Sequence, residues 1–166
     1  MIEQTVRNSF IVAARAVKER SEEINKLNVF PVPDGDTGTN MSLTLATVVS
    51  EIEALPADAT MPKLAAAVTH GSLMGARGNS GVITSQILRG LAEGLAEVEG
   101  PADAGVVASA FRRAVKVAFA AVRKPVEGTI LTVMRECCPE GDGDAEALLR
   151  EALEKAQESL KRTPEL

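Results

Sequence analysis

The sequence predicts an all-α fold on three observations. The chain is 45% hydrophobic but only 2% aromatic, with four Phe and neither Trp nor Tyr. Its core must therefore be built from Ala, Val, Leu, Ile and Met, a palette that suits closely spaced helices better than a β-sandwich. Apolar residues also recur at three- and four-residue intervals along most of the chain. Finally, the only strand-like run, Val29 to Val32, carries Pro31 and is followed by Pro33, so it has no place inside a sheet.

The elements follow in order. Ile2, Val6, Phe10, Ala13, Ala14 and Val17 mark a helix over residues 2 to about 20 with one buried face. A short helix over Ser21 to Leu27 has Ser21 as its expected N-cap. After a Pro/Gly/Asp loop, Thr39 or Asn40 is expected to cap a helix reaching about Glu53, with Leu43, Leu45, Val48, Val49 and Ile52 inward; Pro56 ends the region. Pro62 fits the first turn of a helix running to about Met74.

Glycines 71, 75, 78 and 81 then punctuate the chain. A long helix is expected from Ser80 or Gly81 to about Val98, carrying Ile83, Ile87, Leu88, Leu91 and Leu95. Gly90 and Gly94 on it imply a close helix neighbour. Residues 103 to 122 repeat the pattern, Thr129 to Cys138 form a shorter helix, and Asp144 caps a last one through Leu148, Leu149, Leu153, Ala156 and Leu160. That makes seven or eight helices with no fixed-period repeat. Residues 1–162 read as one domain, and residues 163–166, polar and marked by Pro164, read as the start of a linker.

The formal net charge of −5 and the lack of a basic stripe argue against nucleic-acid binding. No apolar stretch reaches the length of a bilayer span and no signal-peptide core is present, so the expected location is the cytoplasm. Cys137 and Cys138 are adjacent, a spacing unsuited to a bridge or a zinc site, and are expected to be reduced, buried thiols.

The richest chemistry lies in Asn28–Met41, NVFPVPDGDTGTNM. Prolines 31 and 33 deny it helical geometry. Asp34 and Asp36 are two residues apart, so in extended backbone both carboxylates face one site, and Gly35 lets the chain turn between them. Oxygen ligands of this kind suit Mg²⁺, which keeps waters and shares phosphate oxygens. An EF-hand is excluded, because counting from Asp34 puts Gly38 at the fifth position and Leu45 at the twelfth. A single Asp-Gly read by itself is more simply an Asx-turn or a helix cap.

A second segment, Gly75-Ala76-Arg77-Gly78-Asn79-Ser80-Gly81, pairs small residues with a following helix N-terminus, a ready anion site. Arg77 there can add a charge-assisted hydrogen bond. It lacks the Gly-Lys-Ser/Thr ending of a Walker A loop and the spacing of a nucleophile elbow. A tight interhelical turn explains it equally well in isolation. A third segment, Lys124 to Leu131, offers Gly128 and Thr129 at a helix start, where simple capping is the plainer reading. His70, the sole histidine, is left unassigned.

Taken together, three segments resemble a known family in order and spacing: Asn28–Met41, Leu73–Ile83 (LMGARGNSGVI) and Pro125–Val133 (PVEGTILTV). The chain is similar to the dihydroxyacetone-kinase L-like nucleotide-binding domain, and most of all to the N-terminal ATP-binding domain of the fatty acid kinase catalytic subunit. The resemblance runs over essentially the whole chain. It implies a barrel-like bundle of about eight antiparallel helices binding ATP or ADP at one end through two Mg²⁺ ions.

By motif match, Asp34 and Asp36 would be metal ligands. Asn28 stands nearest to a third aspartate of the dihydroxyacetone branch, one residue out of register. Thr37, Thr39, Asn40 and Met41 would lie at the phosphates or nucleotide, with Gly78, Asn79, Ser80 and Gly81 in a second phosphate-contacting turn and Thr129 at a third contact. The implied reaction moves the γ-phosphoryl group of ATP to a fatty acid carboxylate presented by a separate fatty-acid-binding protein. The family's catalytic subunit continues past this domain, so this chain is expected to bind nucleotide and be weak or inactive as a kinase alone. The alternatives are a dihydroxyacetone-type kinase subunit and a nucleotide-sensing module without turnover.

Overall fold

A computed structural model describes residues 2–97, 103–141 and 143–166. Among them the chain forms eight α-helices and no strand: α1 (Ile2–Glu19), α2 (Ser21–Leu27), α3 (Thr37–Glu53), α4 (Met61–Gly75), α5 (Gly78–Ala96), α6 (Ala104–Ala120), α7 (Ile130–Glu136) and α8 (Ala145–Arg162). A 3₁₀ turn, Thr163–Glu165, follows α8. No described helix is long and apolar enough to cross a membrane.

The main core joins α3, α4 and α5 through Val48, Ile52, Leu64, Val68 and Ala92, each at most 1% exposed. The stripe Ile2, Val6, Phe10, Ala14 and Val17 lays α1 across it, partly buried. Arg7 fixes the direction of α1. Its guanidinium donates to the carbonyls of Ile52 (2.9 Å), Leu55 (3.2 Å) and Pro56 (2.7 Å), satisfying the C-terminal end of α3 with a cation. The start of α1 therefore lies at the end of α3, and the two run antiparallel.

Gly90 and Gly94 do what their small size suggests. A Cβ at Gly94 would stand 2.7 Å from the Cα of Ala110, and one at Gly90 would overlap the backbone at Ala114. These two contacts set an antiparallel register in which the C-terminus of α6 returns to the end where α5 begins. Leu148 of α8 packs with Val107 and Ala108 of α6, and Ala114, which also faces Gly90, packs with Met134 and Cys137. Both cysteines are free thiols. Cys137 is buried, and that burial pushes its thiol up to about 11; Cys138 is half-buried.

Helix starts depart from expectation in three places. α2 is preceded by Arg20 as its N-cap, and the Ser21 hydroxyl donates backwards to the Lys18 carbonyl (3.0 Å). α3 begins at Thr37 with Asp36 as N-cap, two to three residues before the expected Thr39 or Asn40. α5 begins at Gly78 after Arg77, ahead of Ser80 and Gly81. Arg77 is not a capping residue type, so α5 lacks the usual sequence signal; α3 has such a type at Asp36, but that side chain makes no cap bond and the Thr39 N–H goes to Asn25. The expected end of α5 at Val98 lies outside the described residues.

Two apolar expectations also turn outward. Leu43 is 51% exposed, and α8 buries Leu148, Ala152 and Ser159 while Leu149, Leu153 and Leu160 face out. Successive helical residues are about 100° apart, so the neighbouring stripe of α8 misses the core. Asp103 and Asp144 cap α6 and α8, accepting from Val106 N (3.0 Å) and Ala147 N (2.9 Å). Residues 163–165 seat beside Gly128, where a Cβ would come 2.9 Å from the Thr163 carbonyl oxygen.

Candidate functional site

The loop between α2 and α3 is closed by one side chain. Asn28 Nδ2 donates to the Val32 carbonyl (2.9 Å), and its Oδ1 accepts from the Gly35 amide (3.1 Å). Gly35 takes φ +66°, a left-handed conformation that glycine tolerates without strain. Asp34 is exposed and Asp36 half-buried. Among the described residues, neither carboxylate makes an ion pair or accepts a hydrogen bond. Asn28, by contrast, already spends its amide on the loop.

The start of α3 is held by α2. The Thr39 amide donates to Asn25 Oδ1 (3.1 Å), and Asn25 Nδ2 donates to Thr39 Oγ1 (2.9 Å). Gly38 is buried against the Ser21 carbonyl so closely that a Cβ would overlap it. Thr37 and Met41 flank this turn, half-buried.

The glycine-rich turn abuts the same place. Gly78 has φ +59° and sits against the Asn40 side-chain amide, which a Cβ would overlap. A Cβ on Gly81 would stand 2.7 Å from Thr44 Oγ1. That hydroxyl is fully buried and donates to the carbonyls of Asn40 (2.8 Å) and Gly75 (3.3 Å). The first turns of α3 and α5 are thus side by side at one end of the bundle; the first N–H groups of each lack an intrahelical partner, and in α3 that of Thr39 is taken by Asn25. Asn79 is exposed at that end, and the Ser80 hydroxyl is buried with no hydrogen-bond partner. The Arg77 guanidinium lies on the last carbonyls of α4, donating to Ala76 (3.0 Å) and Met74 (3.4 Å).

The third segment stands somewhat apart. The α5–α6 register carries the loop after α6 to the same end. The Thr129 hydroxyl is nevertheless used locally, donating to the Val126 carbonyl (2.8 Å) and accepting from the Leu131 amide (3.3 Å). No hydrogen bond joins it to the aspartate loop or the glycine turn. The loop is braced by Glu127, which accepts from Arg135 through both oxygens (2.8 and 2.7 Å) and from the Thr132 hydroxyl (2.7 Å).

The Arg135 hydrogen bonds, helped by Thr132, hold the Glu127 carboxyl down at about 2, against an ordinary 4.5. The stabilisation from the ionised brace is complete above the ordinary value and is lost as pH falls from about 4.5 to about 2. The melting-temperature gap between wild type and Glu127→Gln should be constant above pH 5 and close towards pH 2. A gap independent of pH would show that Glu127 does not act through its charge.

His70 pairs with Glu51 (3.4 Å), exposed, roughly two helical turns down α3 from Thr44. Among the described residues no group of three or more His, Cys, Asp or Glu could enclose a metal ion. Two free carboxylates are what a Mg²⁺ needs when waters and phosphate oxygens complete its shell. The residues present therefore fit a metal that arrives with a phosphate ligand.

A family model described as the DAK2 domain matches residues 31–166. The chain belongs to the DAK2 domain family. These are dihydroxyacetone-kinase L-like helical domains, related at a coarse level to phosphotransferases. The chain is also 41% identical to the protein YloV of Bacillus subtilis over 169 residues, covering 98% of this chain and 30% of that protein. Uncharacterised proteins of Staphylococcus haemolyticus and Staphylococcus aureus are each 40% identical over 162 residues, covering 94% of this chain and 29% of theirs. This DAK2 domain thus spans just under a third of the length of these curated relatives.

Asn25, Thr44 and Gly38 are the residues of this site that sequence reading missed. Each works through a contact with another helix and leaves no local signature. Asn25 sits in an ordinary polar helix sequence, and Thr44 occupies a position that apolar periodicity would assign to the core.

Proposed function

We propose that this DAK2 domain is the nucleotide-binding part of a cytoplasmic phosphotransferase, taking ATP and releasing ADP with Mg²⁺, and acting on a fatty acid carboxylate presented by a separate fatty-acid-binding protein. The supporting observation is the junction of the α3 and α5 first turns, with two unpaired carboxylates beside it and an unpaired Ser80 hydroxyl within it.

In this reading, Asp34 and Asp36 hold the metal and the outward N–H groups of α3 and α5 bind phosphate oxygens. Asn40, Asn79 and Ser80 add side-chain donors, while the glycines keep the backbone close. Bound Mg²⁺ supplies charge neutralisation to the phosphate chain. Phosphoryl transfer then depends mainly on positioning and on donors already in place. A carboxylate acceptor is ionised at neutral pH and needs no general base, which accords with a site whose only histidine lies elsewhere. The fatty acid branch is favoured by the NVFPVPDGD segment, with Asn28 where the dihydroxyacetone branch carries an acid.

Calorimetric titration with ADP, with and without Mg²⁺, tests the reading. Binding that requires the metal is expected; no binding, or binding indifferent to Mg²⁺, would overturn it. Turnover of ATP with a fatty-acid carrier, set against dihydroxyacetone and its carrier, separates the acceptors. Ser80→Ala should weaken ADP by about 1–3 kcal/mol, the worth of a hydrogen bond to a charged group. It should not lower the melting temperature, because the hydroxyl has no protein partner to lose. Unchanged ADP affinity would remove Ser80 from the site.

A further inference from the structure

We infer that Asn25 is a positioning residue that leaves the Asp36 carboxylate free for metal by capping α3 in its place. The inference rests on the metal-dependent nucleotide reading above. Asp36 is the N-cap of α3 but sits at φ −119°, ψ 2°, whereas Asp103 and Asp144, which do cap their helices, are extended; an extended N-cap side chain ordinarily accepts the N–H two or three residues on. Its own side chain makes no such bond. The N–H in question, that of Thr39, goes instead to Asn25 Oδ1 (3.1 Å), and Asn25 Nδ2 locks the Thr39 hydroxyl (2.9 Å).

The cap therefore comes from α2, across a contact made tight by Gly38 against Ser21. An aspartate that must cap its own helix has one oxygen engaged and its rotamer fixed towards the backbone. With Asn25 in place, Asp36 has neither constraint. The adjoining loop shows the same economy, since Asn28 satisfies the Gly35 amide next to Asp34. Two amides of α2 and its C-terminal end thus occupy the backbone donors for which the two acids would otherwise compete.

Removing Asn25 should let Asp36 turn to the extended backbone of a capping residue and place its carboxylate on the Thr39 N–H, lowering metal affinity without unfolding α3. The experiment measures Mn²⁺ affinity by electron paramagnetic resonance, and ADP affinity with and without Mg²⁺, for wild type, Asn25→Ala and Asn25→Asp. The metal must then displace a cap bond, which is worth about 2–30-fold in an equilibrium, and Asn25→Ala should lose Mn²⁺ in that range. ADP binding without metal should change less than about twofold, and the ADP gain from Mg²⁺ should shrink with the Mn²⁺ loss. Asn25→Asp keeps an acceptor for the Thr39 N–H and a second for its hydroxyl, so it should restore Mn²⁺ binding.

A crystal structure of the metal-free Asn25→Ala variant should show the Asp36 side chain accepting from Thr39 N. Wild-type Mn²⁺ affinity in Asn25→Ala, equal losses in Asn25→Ala and Asn25→Asp, or an Asp36 side chain that stays turned away from α3 would each overturn the inference. Wild-type protein that takes up neither Mn²⁺ nor Mg·ADP would overturn the metal reading and this inference with it.

Discussion

Replacing Asp34 or Asp36 by alanine should lower the Mg²⁺-dependent affinity for ADP by about a hundredfold or more, while leaving the melting temperature within a degree or two of wild type. The size follows from the role. Changes one shell out from a metal typically cost about 10–100-fold, and a ligand itself should cost no less. The small effect on folding follows from the surroundings. Asp34 is exposed and Asp36 half-buried, neither carboxylate has a partner among the described residues, and the Thr39 N–H of α3 is taken by Asn25. Calorimetry with and without Mg²⁺, beside thermal unfolding, reads both quantities. Unchanged Mg·ADP affinity in both variants would remove the metal assignment. A large melting-temperature loss with metal-free binding equally reduced would make the acids structural.

Gly38→Ala should produce the opposite pattern, a loss of stability accompanied by a loss of binding. The added methyl would overlap the Ser21 carbonyl, a backbone group with no rotamer to escape into, so α2 and α3 must part. Overpacking of this kind costs about 1–3 kcal/mol, and a contact with backbone belongs near the upper end. The better helix propensity of alanine returns up to about 1 kcal/mol. A net loss near 2 kcal/mol corresponds to a melting-temperature drop of about 4–8 °C at this chain length.

Because Asn25 of α2 holds the first turn of α3 and Asn28, just after α2, closes the aspartate loop, the same separation should weaken Mg·ADP. Gly105→Ala is the control. Among the described residues its Cβ would come within 4 Å only of the Asp103 carboxylate oxygen that caps α6, at 3.3 Å, so a shift of a few tenths of an ångström suffices and stability should be nearly kept. Equal melting temperatures for Gly38→Ala and wild type would show that the α2–α3 contact has slack.

Most helices were legible because their causes are local. The stripe Ile2–Val6–Phe10–Ala14–Val17, Pro62 in the first turn of α4, and Asp144 as a cap act within a few residues of themselves. Gly90 and Gly94 were legible for a related reason, since two glycines one turn apart on a helix leave little else to explain them. The start of α5 was misplaced because Arg77, its N-cap, is not a residue type that announces a cap, and that of α3 because Thr39 and Asn40, also cap types, stand just after Asp36. α8 misled in another way: its leucines cover two adjacent stripes, and only the partner helices decide which is buried.

The candidate site divides along the same line. Asp34, Asp36, Gly78 and Gly81 stood out as candidates by residue type and spacing beside prolines and a helix start, although a cap or a tight turn suits each of them singly. Thr129 was named from a motif, yet in the structure its hydroxyl serves its own helix.

By itself, then, the sequence determined the helical class and the approximate helix spans and marked two polar, glycine-rich segments as candidates, because periodicity, proline and glycine act through neighbouring residues. Only the tertiary structure decided that the first turns of α3 and α5 meet, that Asn25 of α2 caps α3, and that the two acids are left unpaired. Those facts depend on distances between helices, and such distances come from the packing of small residues, Gly38, Gly78 and Gly81 above all, against partners far along the chain.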